Sequence, residues 1–150
     1  MISQAAEYSL RAAVCLAARS GGSLTTQQIA KLAGIPSGYL AKVLQLLARA
    51  GIVESQRGTN GGFALKMPPD QVTLMDIVSV VDQSHRIQDC PLGVEHDGGH
   101  LCPLHSRLDA AAAAAEDPLR RTTLAQLLNE SPDILFCKQC KGDCPSRPSK

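Results

Sequence analysis

Residues 37–65, SGYLAKVLQLLARAGIVESQRGTNGGFAL, join one amphipathic helical pattern to one glycine-rich hairpin pattern. Ser37 can cap the helix and Gly51 can end it. Short β-prone runs at 52–53 and 63–65 then flank Asn60-Gly61, a strong hairpin signal. The helix carries an i, i+3, i+4, i+7 apolar stripe, formed by Leu40, Val43, Leu44 and Leu47.

A second, shorter helix is predicted immediately before this stretch, in LTTQQIAKLAG at residues 24–34. Thr25 or Thr26 can cap it and Gly34 can end it. The tight turn that follows makes the two helices a helix-turn-helix, and the hairpin makes the whole a winged helix. A further helix is predicted over 3–19, with Cys15 as a buried apolar residue among alanines.

From residue 73 to residue 130 the chain is predicted to be mostly helical, apart from the segment 84–102. Thr73 can cap a helix ending near residue 81, and Thr122 or Thr123 can cap a last short one. Between them, PLHSRLDAAAAAAE at 103–116 is strongly helical by propensity, and Pro118 is expected to kink or interrupt that helix. Its apolar seam is more than a monomer could cover, so we expect a partner helix there; the seam comprises Leu104, Leu108, Ala111 and Ala115.

The predicted fold class is therefore mainly α with a small β-hairpin wing. We expect a winged helix-turn-helix DNA-binding domain at 1–83, a loop and dimerisation helix at 84–130, and a loosely ordered, cysteine-containing tail at 131–150. A chain of 150 residues can bury a real core without disulfides. It contains no stretch of 18 apolar residues and no signal-peptide pattern, which predicts a cytoplasmic protein with no membrane span.

Charge is distributed unevenly along the chain. Residues 1–70 carry seven Lys/Arg against three Asp/Glu, a net +4, whereas residues 71–150 carry eight against eleven, a net −3. This asymmetry favours a polyanion as partner of the first part, although ordinary scatter of surface charge would give a similar pattern.

Double-stranded DNA is the polyanion that a winged helix suits. Side chains opening the first helix of the pair can bond phosphates, those opening the second can reach base edges, and a wing-tip arginine suits a narrow minor groove. Tyr39 could instead pack under the wing, Lys42 could be a solvated charge, and the wing glycines could serve the turn alone. The candidate residues, in chain order, are Thr25, Gln27, Gln28, Ser37, Gly38, Tyr39, Lys42, Arg57, Gly58, Thr59 and Asn60.

A second candidate site lies in CPLGVEHDGGHLCPLH, residues 90–105. Eleven residues separate Cys90 from Cys102, with His96 midway, and His105 follows Cys102 at i+3, on one face of a helix start. Thiolate and imidazole together suit zinc or iron-sulfur iron. A histidine-rich loop without metal is the alternative. Six cysteines in a reducing compartment more often mark metal or redox sites than structural disulfides.

The tail contains a further thiol motif, CKQCKGDC, with cysteines at 137, 140 and 144. This C-x2-C-x3-C spacing is competent for metal binding, and the neighbouring lysines favour thiolates. A replacement ligand, a second metal site, a redox pair and a disordered tail are all compatible with it.

The residue 37–65 stretch resembles the signature of the Rrf-type (IscR- and NsrR-like) winged helix-turn-helix transcriptional regulators, and EYSLRAAVCLA and TTLAQLL also fit that pattern. The resemblance runs from about residue 1 to residue 130. It implies a homodimer held by the long helix, a transcription factor rather than an enzyme, and recognition through Tyr39, Lys42 and Arg57. Relatives often carry a polar residue where this chain has Ala41, so the target sequence is not predicted.

The resemblance also implies a cofactor. IscR-like members carry three loop cysteines, of which the outer two match Cys90 and Cys102 and the middle one falls on His96; a histidine matches His105. In NsrR-like and related redox members an acidic residue near the N-terminus of the partner subunit completes the cluster, and that position matches Glu7. The implied cofactor is an iron-sulfur cluster, 2Fe-2S rather than 4Fe-4S, that senses iron-sulfur, redox or nitric oxide status. Zinc, a metal-free thiol switch, and an oxidoreductase or metal carrier using CKQC are the alternatives.

Overall fold

The computed structural model describes residues 2–19, 22–58, 61–82 and 102–130. Within these ranges the chain forms six helices and one two-stranded antiparallel sheet, which confirms the predicted fold class. The elements in order are α1 (Gln4–Ala18), α2 (Thr26–Ala33), α3 (Ser37–Arg49), β1 (Val53–Gln56), β2 (Gly62–Leu65), α4 (Leu74–Val81), α5 (Pro103–Arg121) and α6 (Leu124–Glu130).

Helix α1 lies at the centre of the core. It packs against α2, α3, α4, α6 and β2, and its small residues allow this close approach on several sides. Ala12 and Ala13 are fully buried, and Cys15 is only 3% exposed, so the prediction of a buried, core-forming Cys15 is confirmed. The α3 stripe faces the same core, with exposures between 0% and 1%.

Local sequence determines most helix ends. Thr25, one of the two residues predicted to cap α2, and Thr73, predicted to cap α4, are the N-caps, and each forms a capping box. Gly34 ends α2 as predicted, with a φ of 64°. The predicted Ser37 cap is wrong: Ser37 is the first helical residue and Pro36 occupies the N-cap position without a side-chain hydrogen bond. The fixed φ of Pro36, −57°, starts the helix one residue earlier, and its carbonyl accepts hydrogen bonds from the amides of Tyr39 and Leu40.

The wing is held by more than its own hairpin. Strands β1 and β2 pair in register from Val53↔Leu65 to Gln56↔Gly62. Beyond this ladder, the Leu24 amide donates to the Phe63 carbonyl at 2.9 Å and the Phe63 amide donates to the Leu24 carbonyl at 2.8 Å. This bridge ties the wing to the residue preceding the α2 cap, so the wing and the helix-turn-helix share one backbone scaffold.

Helix α5 continues to Arg121, so the predicted interruption at Pro118 is wrong. Pro118 lies in the last turn, where a missing amide removes one helical hydrogen bond and the following turn still closes: the Thr122 amide donates to the Pro118 carbonyl at 3.1 Å. The α6 start is capped by Thr123, one of the two predicted residues: its Oγ1 accepts a hydrogen bond from the Gln126 backbone amide at 3.2 Å, and the Gln126 Oε1 accepts one from the Thr123 backbone amide at 2.9 Å.

Helices α4 and α6 begin side by side. The Leu74 amide donates to the Thr122 carbonyl and the Leu124 amide to the Val72 carbonyl, both at 2.9 Å. Leu124 is fully buried in the same core as α1. None of the helices in the described ranges is long and apolar enough to cross a membrane.

Candidate nucleic-acid interface and thiol site

The start of α3 is exposed on one side and buried on the other. Ser37, Gly38, Tyr39 and Lys42 are exposed, whereas the opposite stripe faces the core. The amino end of a helix presents backbone amides that suit a phosphate, and the side chains beside them can reach base edges. The geometry of α3 is therefore that of a helix able to enter a groove.

The first turn of α2 is exposed as well, but two of its candidate side chains already take part in the cap. The Thr25 Oγ1 accepts from the Gln28 amide at 3.2 Å, and the Gln28 Oε1 accepts from the Thr25 amide at 2.9 Å. The Thr25 hydroxyl and the side-chain NH₂ of Gln28 still have protons that they can donate to phosphate oxygens. Gln27 is exposed beside them.

Tyr39 does not pack under the wing. Its ring lies edge-on to Tyr8 of α1, with ring centroids 5.2 Å apart and planes at 72°, and it remains 39% exposed. The Arg11 guanidinium lies 6.0 Å from the Tyr8 ring centroid, at the outer limit of a cation–π contact. Tyr8 was not among the predicted site residues, because no spacing rule relates residues 31 positions apart; the available signal was that the chain has just two tyrosines.

At the wing, Arg57 and Gly58 follow β1 and are exposed. Gly58 has a φ of 113°, a conformation that side-chain-bearing residues rarely adopt, so glycine is needed for the turn itself. Thr59 and Asn60 lie outside the described residues. Every candidate DNA-binding residue that the structure describes is thus exposed, and these residues lie on α2, α3 and the wing.

The thiol site begins at the amino end of α5. Cys102 is the N-cap residue, and its Sγ accepts a hydrogen bond from the His105 amide at 3.3 Å. Both residues are 4% exposed. The i+3 spacing therefore brings a thiol and an imidazole to one buried helix start. Cys90 and His96 lie outside the described residues.

Glu7 lies in the first turn of α1, where its carboxylate pairs with Arg11 one turn later. Both side chains are nearly half exposed, so the pair is weak, about 0.3–0.5 kcal/mol, and Glu7 can leave it at little cost. Among the residues placed in the structure, no three His, Cys, Asp or Glu side chains form a group able to hold a metal ion. Glu7 is therefore not brought to Cys102 and His105 within this chain.

A family model described as an iron-dependent transcriptional regulator, Rrf2, matches residues 2–130. The chain belongs to the Rrf2 family. As in the sequence-based prediction, this Rrf2 protein is a transcriptional regulator and not an enzyme, and regulators of this family bind DNA.

Three relatives illustrate the range of the family. The regulator is 31% identical to the HTH-type transcriptional regulator NsrR of Bacillus subtilis, over 86% of this chain and 90% of that protein. The structure is similar to that of T. potens IscR, with a TM-score of 0.73 and 27% identity over 87% of each chain. It is equally similar to CymR, the global cysteine regulator of B. subtilis, with a TM-score of 0.73 and 27% identity over 87% of this chain and 98% of CymR.

Proposed function

We propose that this Rrf2 regulator is a homodimer whose affinity for its DNA operator depends on a 2Fe-2S cluster bound at the start of α5. The observation that carries the proposal is the buried pair of Cys102 and His105, because a thiol and an imidazole on one helix start are the donors that iron-sulfur iron accepts. Similarity to NsrR and IscR and the iron-dependent description of the family support it.

Cys90 and Cys102 would hold the cluster, with His105, His96 and Glu7 as candidates for the remaining positions. A cluster with histidine ligation supplies one-electron redox chemistry at a higher potential than one held by thiolates alone. The cysteines and histidines fit an iron-sulfur cluster, since its iron prefers thiolate and imidazole ligands to carboxylates. Glu7 would have to come from the second protomer, because within one chain it does not approach the other two donors.

In this proposal, DNA is bound by the exposed first turns of α2 and α3 and by Arg57 of the wing. Replacing Lys42 or Arg57 with alanine should weaken operator binding. Each replacement should also reduce the slope of log K against log salt concentration by about 1, the contribution of one phosphate contact. Fluorescence anisotropy at several salt concentrations measures both quantities. Arg121→Ala, an exposed arginine at the end of α5, is the matched control and should leave the salt slope unchanged. An unchanged slope in all three variants would contradict the proposed face.

The homodimer would be held by α5. Leu104 and Leu108 remain 39% and 40% exposed, and Ala111 and Ala115 are exposed below them on the same face. These positions follow the i, i+4, i+7, i+11 spacing of a helical seam, which a second α5 could cover. Half-site spacing on DNA would then follow from the distance between the two α3 helices.

The structure also offers a route between the two sites. Asp82, the last residue described before the segment 83–101, accepts hydrogen bonds from the Ser3 amide at 2.8 Å and from the Ser3 hydroxyl. Ser3 caps α1, the helix that carries Glu7 and, through Tyr8, contacts Tyr39. At the other end of the segment, α5 packs on α4, and α4 packs on α1 and α3. A change in the segment would therefore act on both helices that position Tyr39.

The test of the cluster is spectroscopic. Protein purified without oxygen should be coloured and contain iron and sulfide, and Cys102→Ala should lose the visible absorption. Cys15→Ala is the matched control, because Cys15 is buried in α1 away from the site and should keep the colour. Colourless wild-type protein, or colour that survives Cys102→Ala and Cys90→Ala, would count against an iron-sulfur site built on these residues.

A second candidate function is a thiol switch of the same fold, either metal-free or with zinc in a Cys/His site. The similarity to CymR, the global cysteine regulator of B. subtilis, favours it. It predicts that metal-free protein binds the operator and changes its affinity when a mild thiol oxidant is added, and that the change disappears in Cys102→Ser. Stoichiometric zinc in the anaerobic protein would identify the zinc form.

A further inference from the structure

A cleft of about 390 Å³ lies between the carboxyl end of α1, the wing strands and the segment 66–69. Its apolar lining includes Leu16 and Leu65, which belong to the core or pack against it, and Met67 at its rim, which is 37% exposed. Since a cavity of about 150 Å³ accommodates benzene, the cleft can receive two apolar side chains of that size.

The charged lining of the cleft is mainly cationic. Arg19 and Lys66 lie on it and are exposed, and Glu54 is the acidic residue among its lining. An apolar recess with a cationic rim suits a segment in which a carboxylate adjoins apolar side chains.

Such a segment exists in this chain, and its attachment point lies beside the cleft. The Ala125 amide of α6 donates to the carbonyl of Pro69, a cleft residue, at 3.1 Å. Helix α6 has seven residues, about 10 Å of length, and the chain continues beyond Glu130 for residues 131–150. Residues 133–136 read Asp-Ile-Leu-Phe. Residues 131–133 can together span about 10 Å when extended, enough to return along α6.

We propose that residues 133–136 dock in this cleft, with Asp133 at the rim beside Arg19 and Lys66 and with Leu135 and its apolar neighbours against the lining. Docking covers the base of the wing. It also brings Cys137, the first cysteine of CKQCKGDC, next to an element that the proposed function assigns to DNA binding, so the chemical state of that motif would act on the wing. The proposal does not depend on a cluster at Cys102.

Hydrogen exchange measured by mass spectrometry on the full chain tests the docking. Leu135→Asp should raise exchange about tenfold at residues 62–67, because the docked leucine no longer removes apolar area from water. Lys150→Asp changes charge in the same tail outside the segment, and it should leave exchange there unchanged. Equal exchange in wild type and Leu135→Asp would overturn the proposal.

A charge exchange tests the orientation. Lys66→Glu should raise exchange in the same region, and adding Asp133→Lys should bring it back toward the wild-type value. Two outcomes would assign the cleft to another occupant and overturn the proposal. Protection that rises with protein concentration and survives Leu135→Asp would indicate a second copy of the chain, and protection seen only with DNA present would indicate a phosphate contact.

Discussion

Gly62→Ala should dislodge the wing, although it adds one methyl group. A Cβ at Gly62 would lie 2.4 Å from the Leu24 carbonyl oxygen, 2.6 Å from its carbon and 3.0 Å from the Thr25 nitrogen. All three atoms belong to the backbone, so no side chain can rotate away. The Leu24 segment must move, and it carries both hydrogen bonds to Phe63.

The size of the effect follows from what that movement disrupts. Two backbone hydrogen bonds contribute about 0.5–1.5 kcal/mol each. Inserting an extra carbon into a packed site costs about 1–3 kcal/mol when the surrounding atoms can shift to accommodate it. The movement that relieves the clash also breaks the two hydrogen bonds between Leu24 and Phe63, so the two costs overlap. We therefore expect the free energy of unfolding to fall by about 2–4 kcal/mol. That is a large fraction of the stability of a domain this size.

Urea unfolding followed by circular dichroism measures this loss, at one fixed protein concentration because self-association makes unfolding concentration-dependent. Gly38→Ala is the matched control, because nothing lies within 4 Å of its Cβ position and alanine favours a helix. Operator affinity should also fall for Gly62→Ala, since the wing loses its anchor. A Gly62→Ala protein within about 0.5 kcal/mol of wild type would refute the reasoning.

Three further substitutions test other parts of the molecule. Leu44→Ala, at a fully buried site, should cost about 2–5 kcal/mol in urea unfolding, whereas Leu46→Ala, 38% exposed on the same helix, should cost about 0.5 kcal/mol or less. Thr25→Ala removes the α2 capping box and should lower the free energy of unfolding by about 1 kcal/mol in the same assay. Thr25→Ser keeps a capping hydroxyl and should retain most of that stability. Leu108→Asp should convert the proposed homodimer to a monomer, measured as mass by light scattering, while Ala110→Asp, exposed on another face of α5, should not.

Local patterns predicted the helices of this fold well because the same residues that carry the pattern make the contacts. The α3 stripe and the Thr25 and Thr73 caps involve residues at most seven positions apart, and the structure contains them all. The Ser37 cap failed because Pro36 constrains the backbone more strongly than a serine hydroxyl attracts an amide. The interruption at Pro118 failed because a proline in a last turn removes little.

In the candidate sites, too, contacts between residues close in sequence could be predicted and contacts between distant residues could not. Cys102 and His105 could be paired from sequence because three positions separate them at a helix start. The contacts that position the proposed DNA face could not be predicted in this way, since they join residues 31 to 79 positions apart: Tyr8 with Tyr39, Leu24 with Phe63, and Ser3 with Asp82. No periodicity encodes such pairs, because they depend on how separate elements pack; five of these elements, α2, α3, α4, α6 and β2, pack around α1. The sequence therefore identifies the candidate donors and the candidate DNA-contacting helix, while the packing around α1 supplies the contacts through which the proposed cluster would act on that helix.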